Sequence, residues 1–375
     1  MRRSRWLAAV LAALMLAVCA AGLAAPARAE AAVPSPSPEI GQEIDVHALV
    51  EQLFAAAAGT TWESEQALRK DMTPEERADR DASLAAHRSL ALPWLAESFR
   101  PAEGGEAGEW FLSAPSDEAA IPPADSDPGA EPSQEERLWT PEDGYAALQA
   151  TQAGRDYLAA LEPLGGADAE SCLAATRKIC AEWLGEIDHE KLAGINADYA
   201  CWLYAPDTQI DYPVVRGADN SSYLHRLFNG DWNASGTLFI DYRNLPDFQD
   251  PNTLIYGHHM RNDSMFGSLT DYGLDGYYAA HPFLLMVSPK EIAVVELFAG
   301  YTTSRDDHCY DIAISDSDDM LAFVNAATAK SDFASGAEVL PGDRLVTLST
   351  CAYVFENARY IAIGRLVTAW TEEEM

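Results

Sequence analysis

The chain has 375 residues, of which 59 are Asp or Glu and 25 are Lys or Arg, for a formal net charge of −34. That balance excludes a basic patch for nucleic acid or for an anionic membrane surface as the working feature. The length allows two domains or one domain with long appendages. Six cysteines with no CxxC pair, and adjacent His258 and His259 that make a poor chelate, give no reason to expect a metal site or a cofactor.

Arg2, Arg3 and Arg5 precede the segment Trp6–Ala25, which is uncharged and almost wholly apolar. A helix of about 20 residues spans the roughly 30 Å hydrocarbon core, and a positive flank before it puts the rest of the chain outside. Two readings of residues 1–29 stay open: a signal anchor held by Trp6–Ala25, or a signal peptide cleaved near Ala29, after the small-residue pattern Ala27-Arg28-Ala29. Both imply export.

Residues 30–166 form an acidic, Pro/Ala-rich extension, expected to be helical and partly disordered. It opens with a Pro/Ser linker to Glu39. Val46, Leu49, Val50, Leu53 and Phe54 then fall on one helical face. Thr73-Pro74-Glu75-Glu76 and Thr140-Pro141-Glu142-Asp143 are helix starts, each with a Thr cap and Pro at the first position. Between them Pro101–Ser133 is rich in Pro, Gly, Ala and acid, the composition of a disordered tether. None of this carries recognisable chemistry, so the extension is expected to be a spacer or stalk. A further helix is expected near Ala167–Leu184; it holds Cys172 and Cys180 two turns apart, about 12 Å by helix rise and too far for a disulfide. With Cys19 in the leading apolar segment, five cysteines remain, so at least one thiol is free.

From Asp188, which caps a short helix, the pattern changes to short strands separated by turn signals: Trp202–Tyr204, Ile210–Val215, Gly236–Ile240, Thr253–Tyr256, Pro282–Val287 and Ile292–Tyr301. Ser315–Ala327 is an inserted helix, and two last strands, Arg344–Leu348 and one starting at Arg359, flank Cys351. Many short strands of this kind make a barrel or a sandwich.

Three residues carry chemistry. Cys351 ends a rigid apolar strand, Thr347-Leu348-Ser349-Thr350-Cys351. If the two last strands pair, the Arg359 guanidinium lands close to the sulfur, and a thiol beside a fixed cation is an activated nucleophile. Tyr256-Gly257-His258 ends another strand, where glycine would let the chain turn and present the imidazole. Cys with His is the nucleophile and acid/base pair of acyl transfer, and Arg359 would stabilise the oxyanion or orient the substrate. Arg365 is on the same face as Arg359 by alternation and is its rival.

These residues resemble the sortases, class B specifically, over about Ile195–Leu366. The likeness rests on Asn196–Leu203, Ile210–Val215, Asp219-Asn220 with Tyr223-Leu224, Gly236–Asp241, Asn252–Met260, Ser264–Gly267, Thr347–Cys351, and Arg359 eight residues on. The resemblance implies an eight-stranded β-barrel with an N-terminal helical extension and an inserted helix, residues 167–375 being the catalytic domain. It implies a cysteine transpeptidase on the outer face of a Gram-positive-type cell. Cys351 would cleave a C-terminal sorting motif after its Thr, leaving a thioacyl enzyme that an amine of the wall peptide or a pilin lysine resolves. His258 would be the acid/base and Arg359 the clamp. Asn220, Leu224, Tyr256, Ser349 and Thr350 match positions lining the substrate groove, although Leu224 and Tyr256 are equally suited to core packing. Ala352-Tyr353 stands where some class B members carry an Asp, so no acid from that position is expected. A cysteine hydrolase with the same site and a non-catalytic scaffold for pilus assembly are the alternatives.

Overall fold

The computed structural model describes residues 44–101, 139–352, 354 and 357–371. The apolar segment Trp6–Ala25, the cleavage site near Ala29 and nearly all of Pro101–Ser133 lie outside the described residues. Among the described residues no helix is long and apolar enough to cross a membrane.

Eight strands close into one barrel: β1 (Tyr199–Tyr204), β2 (Asp211–Val215), β3 (Leu238–Ile240), β4 (Asn252–Tyr256), β5 (Phe283–Val287), β6 (Glu291–Ser304), β7 (Leu345–Cys351) and β8 (Ala358–Thr371). Their order around the barrel is β1-β2-β3-β4-β7-β8-β6-β5, with β5 returning to β1. Only β2/β3 and β4/β7 are parallel. Closure leaves no free edge, which decides the sequence's choice between barrel and sandwich. Alternate residues fill the interior: Leu203, Val214, Leu238, Ile255, Leu284, Val295, Leu348 and Ala362 belong to one buried cluster. Residues of the other parity face outward.

The outer face is covered on two sides. Six helices stand on one of them: α1 (Val46–Ala58), α2 (Trp62–Arg69), α3 (Pro74–Ser98), α4 (Pro141–Gln149), α5 (Gln152–Leu161) and α6 (Ala169–Leu184). Their starts follow the capping chemistry of the sequence: Thr73 with Glu76, and Thr140 with Asp143, each form a reciprocal capping box. The apolar stripe of α1 (Val46, Leu49, Val50, Leu53, Phe54) shares one core with Tyr204, Phe283, Leu285, Val287, Ile292, Val294 and Trp370 on the barrel wall. The extension is therefore packed on the barrel, not held away from it as a spacer. An ion pair ties a second helix of the extension to the later chain. Arg69, bonded to Glu65 of its own helix at 2.9 Å, reaches Asp275, in the loop before α8 (Tyr277–Ala280), also at 2.9 Å. After α7 (His189–Ile195) the chain enters the barrel. On the second side, α9 (Ser317–Lys330) crosses from β6 to β7, with Met320 and Ala327 over Phe298, Leu345, Ile361 and Ile363.

Candidate active site

The site lies where three strands end together on the outer face. In the antiparallel β7/β8 pair Cys351 is directly opposite Arg359. Opposed residues point to the same face with Cβ atoms about 4.5–5.5 Å apart, so the pairing that the sequence made conditional brings thiol and guanidinium together. Ala352 N–H donates to Ala358 O at 3.0 Å to close the connection, and Asn357 takes the left-handed conformation (φ +61) that asparagine tolerates.

On the other flank β4 runs parallel to β7 with Tyr256 level with Ser349. Gly257 N–H donates to Ser349 O at 3.1 Å, and Thr350 Oγ1 donates to Gly257 O at 2.9 Å. The paired stretch of β4 ends at Tyr256; the same register continued two residues along both strands would set His258 beside Cys351 on the outward face. Adjacent strands are about 4.8 Å apart, so in that register sulfur, imidazole and guanidinium would come within reach of one substrate carbonyl. The reason for glycine at 257 differs from the one the sequence suggested. Gly257 has no positive φ. A Cβ there would lie 2.4 Å from Leu238 and 2.6 Å from Phe266, inside the filled barrel.

Cys351 is half-buried, whereas Cys172, Cys180, Cys201 and Cys309 are fully buried, and all five are free thiols. Burial pushes the thiols of Cys180, Cys201 and Cys309 far up, so they are poor nucleophiles. His258 is half-buried and its Nε2 donates to Leu224 O at 2.7 Å. Among the described residues Arg359 makes one hydrogen bond, from Nη1 to Ala358 O at 3.0 Å, and no ion pair. Arg365 is different. It sits opposite Leu345, at the far end of β7 from Cys351. Its guanidinium is held by Glu296 at 2.7 Å and Asp343 at 3.6 Å. The rival arginine is an ion-pair residue away from the site.

The five groove candidates divide. Tyr256 is half-buried, stacks on Tyr310 and donates its hydroxyl to Asp241 Oδ2 at 2.9 Å. Asn220 Nδ2 donates to the same Asp241 oxygen at 2.9 Å, and its Oδ1 accepts from Tyr242 N–H at 3.0 Å. Both thus brace the wall through Asp241. Its carboxyl is buried, which by itself pushes it up, but bonds from Arg243, Asn220 and Tyr256 outweigh this and hold it at about 2. Ser349 faces outward with Cys351 and pairs its hydroxyl with Tyr310 OH at 2.8 Å. Thr350 faces inward on the opposite side of the strand and supports Gly257. Leu224 is half-buried with its carbonyl on His258. Sequence reasoning missed Tyr310, in a turn (His308–Tyr310) without periodicity, and missed His225, whose ring stacks on His258 with centroids 5.7 Å apart. It quoted Asp241 as part of a motif, and a carboxylate closing a buried strand was the available signal.

A sortase domain description matches residues 203–367. The chain is 35% identical over 197 residues to sortase B of Listeria monocytogenes, covering 52% of this chain and 79% of that protein. It is 29% identical over 180 residues to sortase B of Staphylococcus aureus, covering 48% and 74%. The chain belongs to the class B sortases. As a sortase it is a cysteine transpeptidase of the kind that anchors proteins to the cell wall. Among solved structures, the S. aureus sortase B–substrate complex aligns with a TM-score of 0.46 at 29% identity, over 48% of this chain and 84% of that one. Sortase B of Clostridium perfringens aligns with a TM-score of 0.45 at 32% identity, over 48% and 98%.

Proposed function

We propose that this sortase cleaves a C-terminal sorting motif after its Thr with Cys351 as nucleophile, forming a thioacyl enzyme. An amine of the wall peptide or a pilin lysine then resolves that intermediate. His258 is the acid/base, and Arg359 holds the substrate carbonyl and its developing negative charge. Tyr256, Ser349 and Tyr310 form the wall along which the motif lies, braced by Asn220 and Asp241. The working site is the outer face of the membrane of a Gram-positive-type cell, with Trp6–Ala25 as anchor. The observation that carries this reading is the cross-strand pair of Cys351 and Arg359; His258 follows two residues after the point where parallel β4 is level with Ser349. Supporting it, Cys351 is the one described cysteine that is not buried.

The test incubates the purified full chain with a panel of Thr-containing sorting peptides, with and without triglycine or a diaminopimelate-type amine, and follows products by mass spectrometry. Cleavage after Thr with an amide-linked product, lost in Cys351→Ala, is expected. Free acid alone, even with amine present, would indicate a hydrolase. Unchanged turnover in Cys351→Ala would remove the assigned nucleophile.

A further inference from the structure

The stretch from Asp219 to Thr237 is more tightly built than a passive connection requires. Asp219 Oδ1 accepts from the backbone and hydroxyl groups of Ser221 and Ser222 at 2.7–3.0 Å. A small hairpin follows: Arg226 and Trp232 form an antiparallel bridge. Leu227 N–H donates to Asp231 O at 2.7 Å and Asn233 N–H to His225 O at 2.9 Å. Thr237 ties the hairpin back, N–H to Tyr223 O at 3.1 Å and Oγ1 to Arg226 O at 2.7 Å. Gly236 sits at φ +58, and a Cβ there would lie 2.4 Å from Tyr223 O and 2.6 Å from Leu224 O. Only glycine lets the chain pass these carbonyls.

This framework presents two groups to His258. Leu224 O accepts from Nε2 at 2.7 Å. A carbonyl only accepts, so Nε2 carries a hydrogen and Nδ1 is the bare nitrogen of the neutral ring. The second group is the His225 ring, nearly parallel to the imidazole in a wide stack with centroids 5.7 Å apart and planes 15° apart. Trp232 stands 6.2 Å from His225 in turn.

We propose that Leu224 and His225 are the positioning residues for His258. The Leu224 carbonyl locks the Nε2–H tautomer, the His225 ring fixes the imidazole plane, and Nδ1 is the nitrogen that takes and returns the proton. The inference rests on His258 being the acid/base. In the first half-reaction the Cys351 S–H proton passes to Nδ1 as the C–S bond forms. Nδ1–H then protonates the leaving nitrogen as the scissile C–N bond breaks. In the second, an incoming amine loses a proton to Nδ1 as the new C–N bond forms, and that proton returns to sulfur as the C–S bond breaks. Nε2–H stays on Leu224 O throughout. The carbonyl fills the orienting place that a carboxylate holds in a Cys-His-acid triad, without adding charge.

The test labels the histidine rings of the full chain with 15N and reads the His258 tautomer by two-bond proton–nitrogen correlation, the signal being assigned by its loss in His258→Gln. A protonated Nε2 with bare Nδ1 is expected; protonated Nδ1, or an average of the two, overturns the assignment. In His225→Ala, kcat for the Thr-containing peptide cleaved by the unaltered chain, with triglycine as amine, should fall about tenfold to 100-fold. That is the scale set by misplacing a catalytic group by an ångström. KM should stay within about twofold, the tautomer signal should become averaged, and His225→Phe should restore both. An unchanged His225→Ala, or a His225→Phe no better than it, overturns the stacking role. If His258→Gln keeps its turnover, the acid/base reading itself fails; if it loses turnover while the unaltered ring shows protonated Nδ1, only the positioning fails.

Discussion

Two arginines on β8 share a face and differ in what meets them. Arg365 neutralises Glu296, which is only 6% exposed, while Arg359 is left to face Cys351. Arg365→Gln should therefore leave a buried carboxylate unpaired and cost about 3 kcal/mol of stability, with turnover per folded molecule unchanged. Arg359→Gln should do the opposite: the melting temperature stays close to that of the unaltered chain, and turnover falls by about 10²–10³, as for loss of an oxyanion donor. Thermal melts read beside peptide turnover separate the two, and loss of turnover without loss of stability in Arg365→Gln would reverse the assignment. At this scale the pairing of Cys351 with Arg359 was legible, because each stands at a strand end with chemistry that no core requires, and His258 was legible as a candidate for the same reason. Leu224 was legible as a matched position but not in its role, because it contributes a carbonyl, which every residue owns. His225 reaches His258 only through a hairpin whose bonds leave no periodic trace in the sequence.

At the scale of elements, the strands were readable from β-branched runs and turn residues, and all eight exist. The apolar stripe of α1 was equally readable, but a stripe says that a face is covered and not by what. It shares one core with the neighbouring helices and with the outward side chains of β5, β6 and β8, and its Phe54 meets Tyr204 of β1 edge-on. A chain beginning at Asp188 would lay Phe283, Leu285, Val287, Ile292, Val294 and Trp370 open to water. At about 1.5–3 kcal/mol for each large apolar side chain, the lost burial is roughly 10 kcal/mol, comparable to the whole net stability of a typical domain. Such a truncation is expected to aggregate, or to melt far below the full chain, in calorimetry and light scattering. A truncated barrel that melts at the same temperature as the full chain would mean that the helical layer adds nothing to the core it appears in.

For the whole molecule, two electrostatic effects oppose each other as the pH falls. The net charge of −34 makes the folded chain repel itself at neutral pH, and protonating exposed carboxylates relieves that. Against this stand carboxylates the fold holds below their unfolded values. Asp241 is held at about 2 by Arg243, Asn220 and Tyr256 despite its burial. Asp307 is also partly buried, yet Lys330, Thr303 and the Cys309 N–H hold it at about 2. Burial pushes Glu65 up, but Arg80, Arg69 and Thr60 outweigh it and hold it below the usual range. A depressed folded pKa contributes stability that is complete above the unfolded value, about 3.9 for Asp and 4.3 for Glu. It is lost as the pH falls through the folded value. The melting temperature should thus rise from pH 7 to about pH 5, then drop steeply between about pH 4 and pH 2. High salt should screen the self-repulsion and flatten the first limb, while the second, which belongs to buried and hydrogen-bonded groups, stays. Because Asp241 braces both Asn220 and Tyr256, Asp241→Asn should shrink the acid limb and at the same time loosen the groove wall, raising KM for the peptide. If Asp241→Asn instead left both the acid limb and KM as they were, the carboxylate would be neither the acid-sensitive group nor the brace.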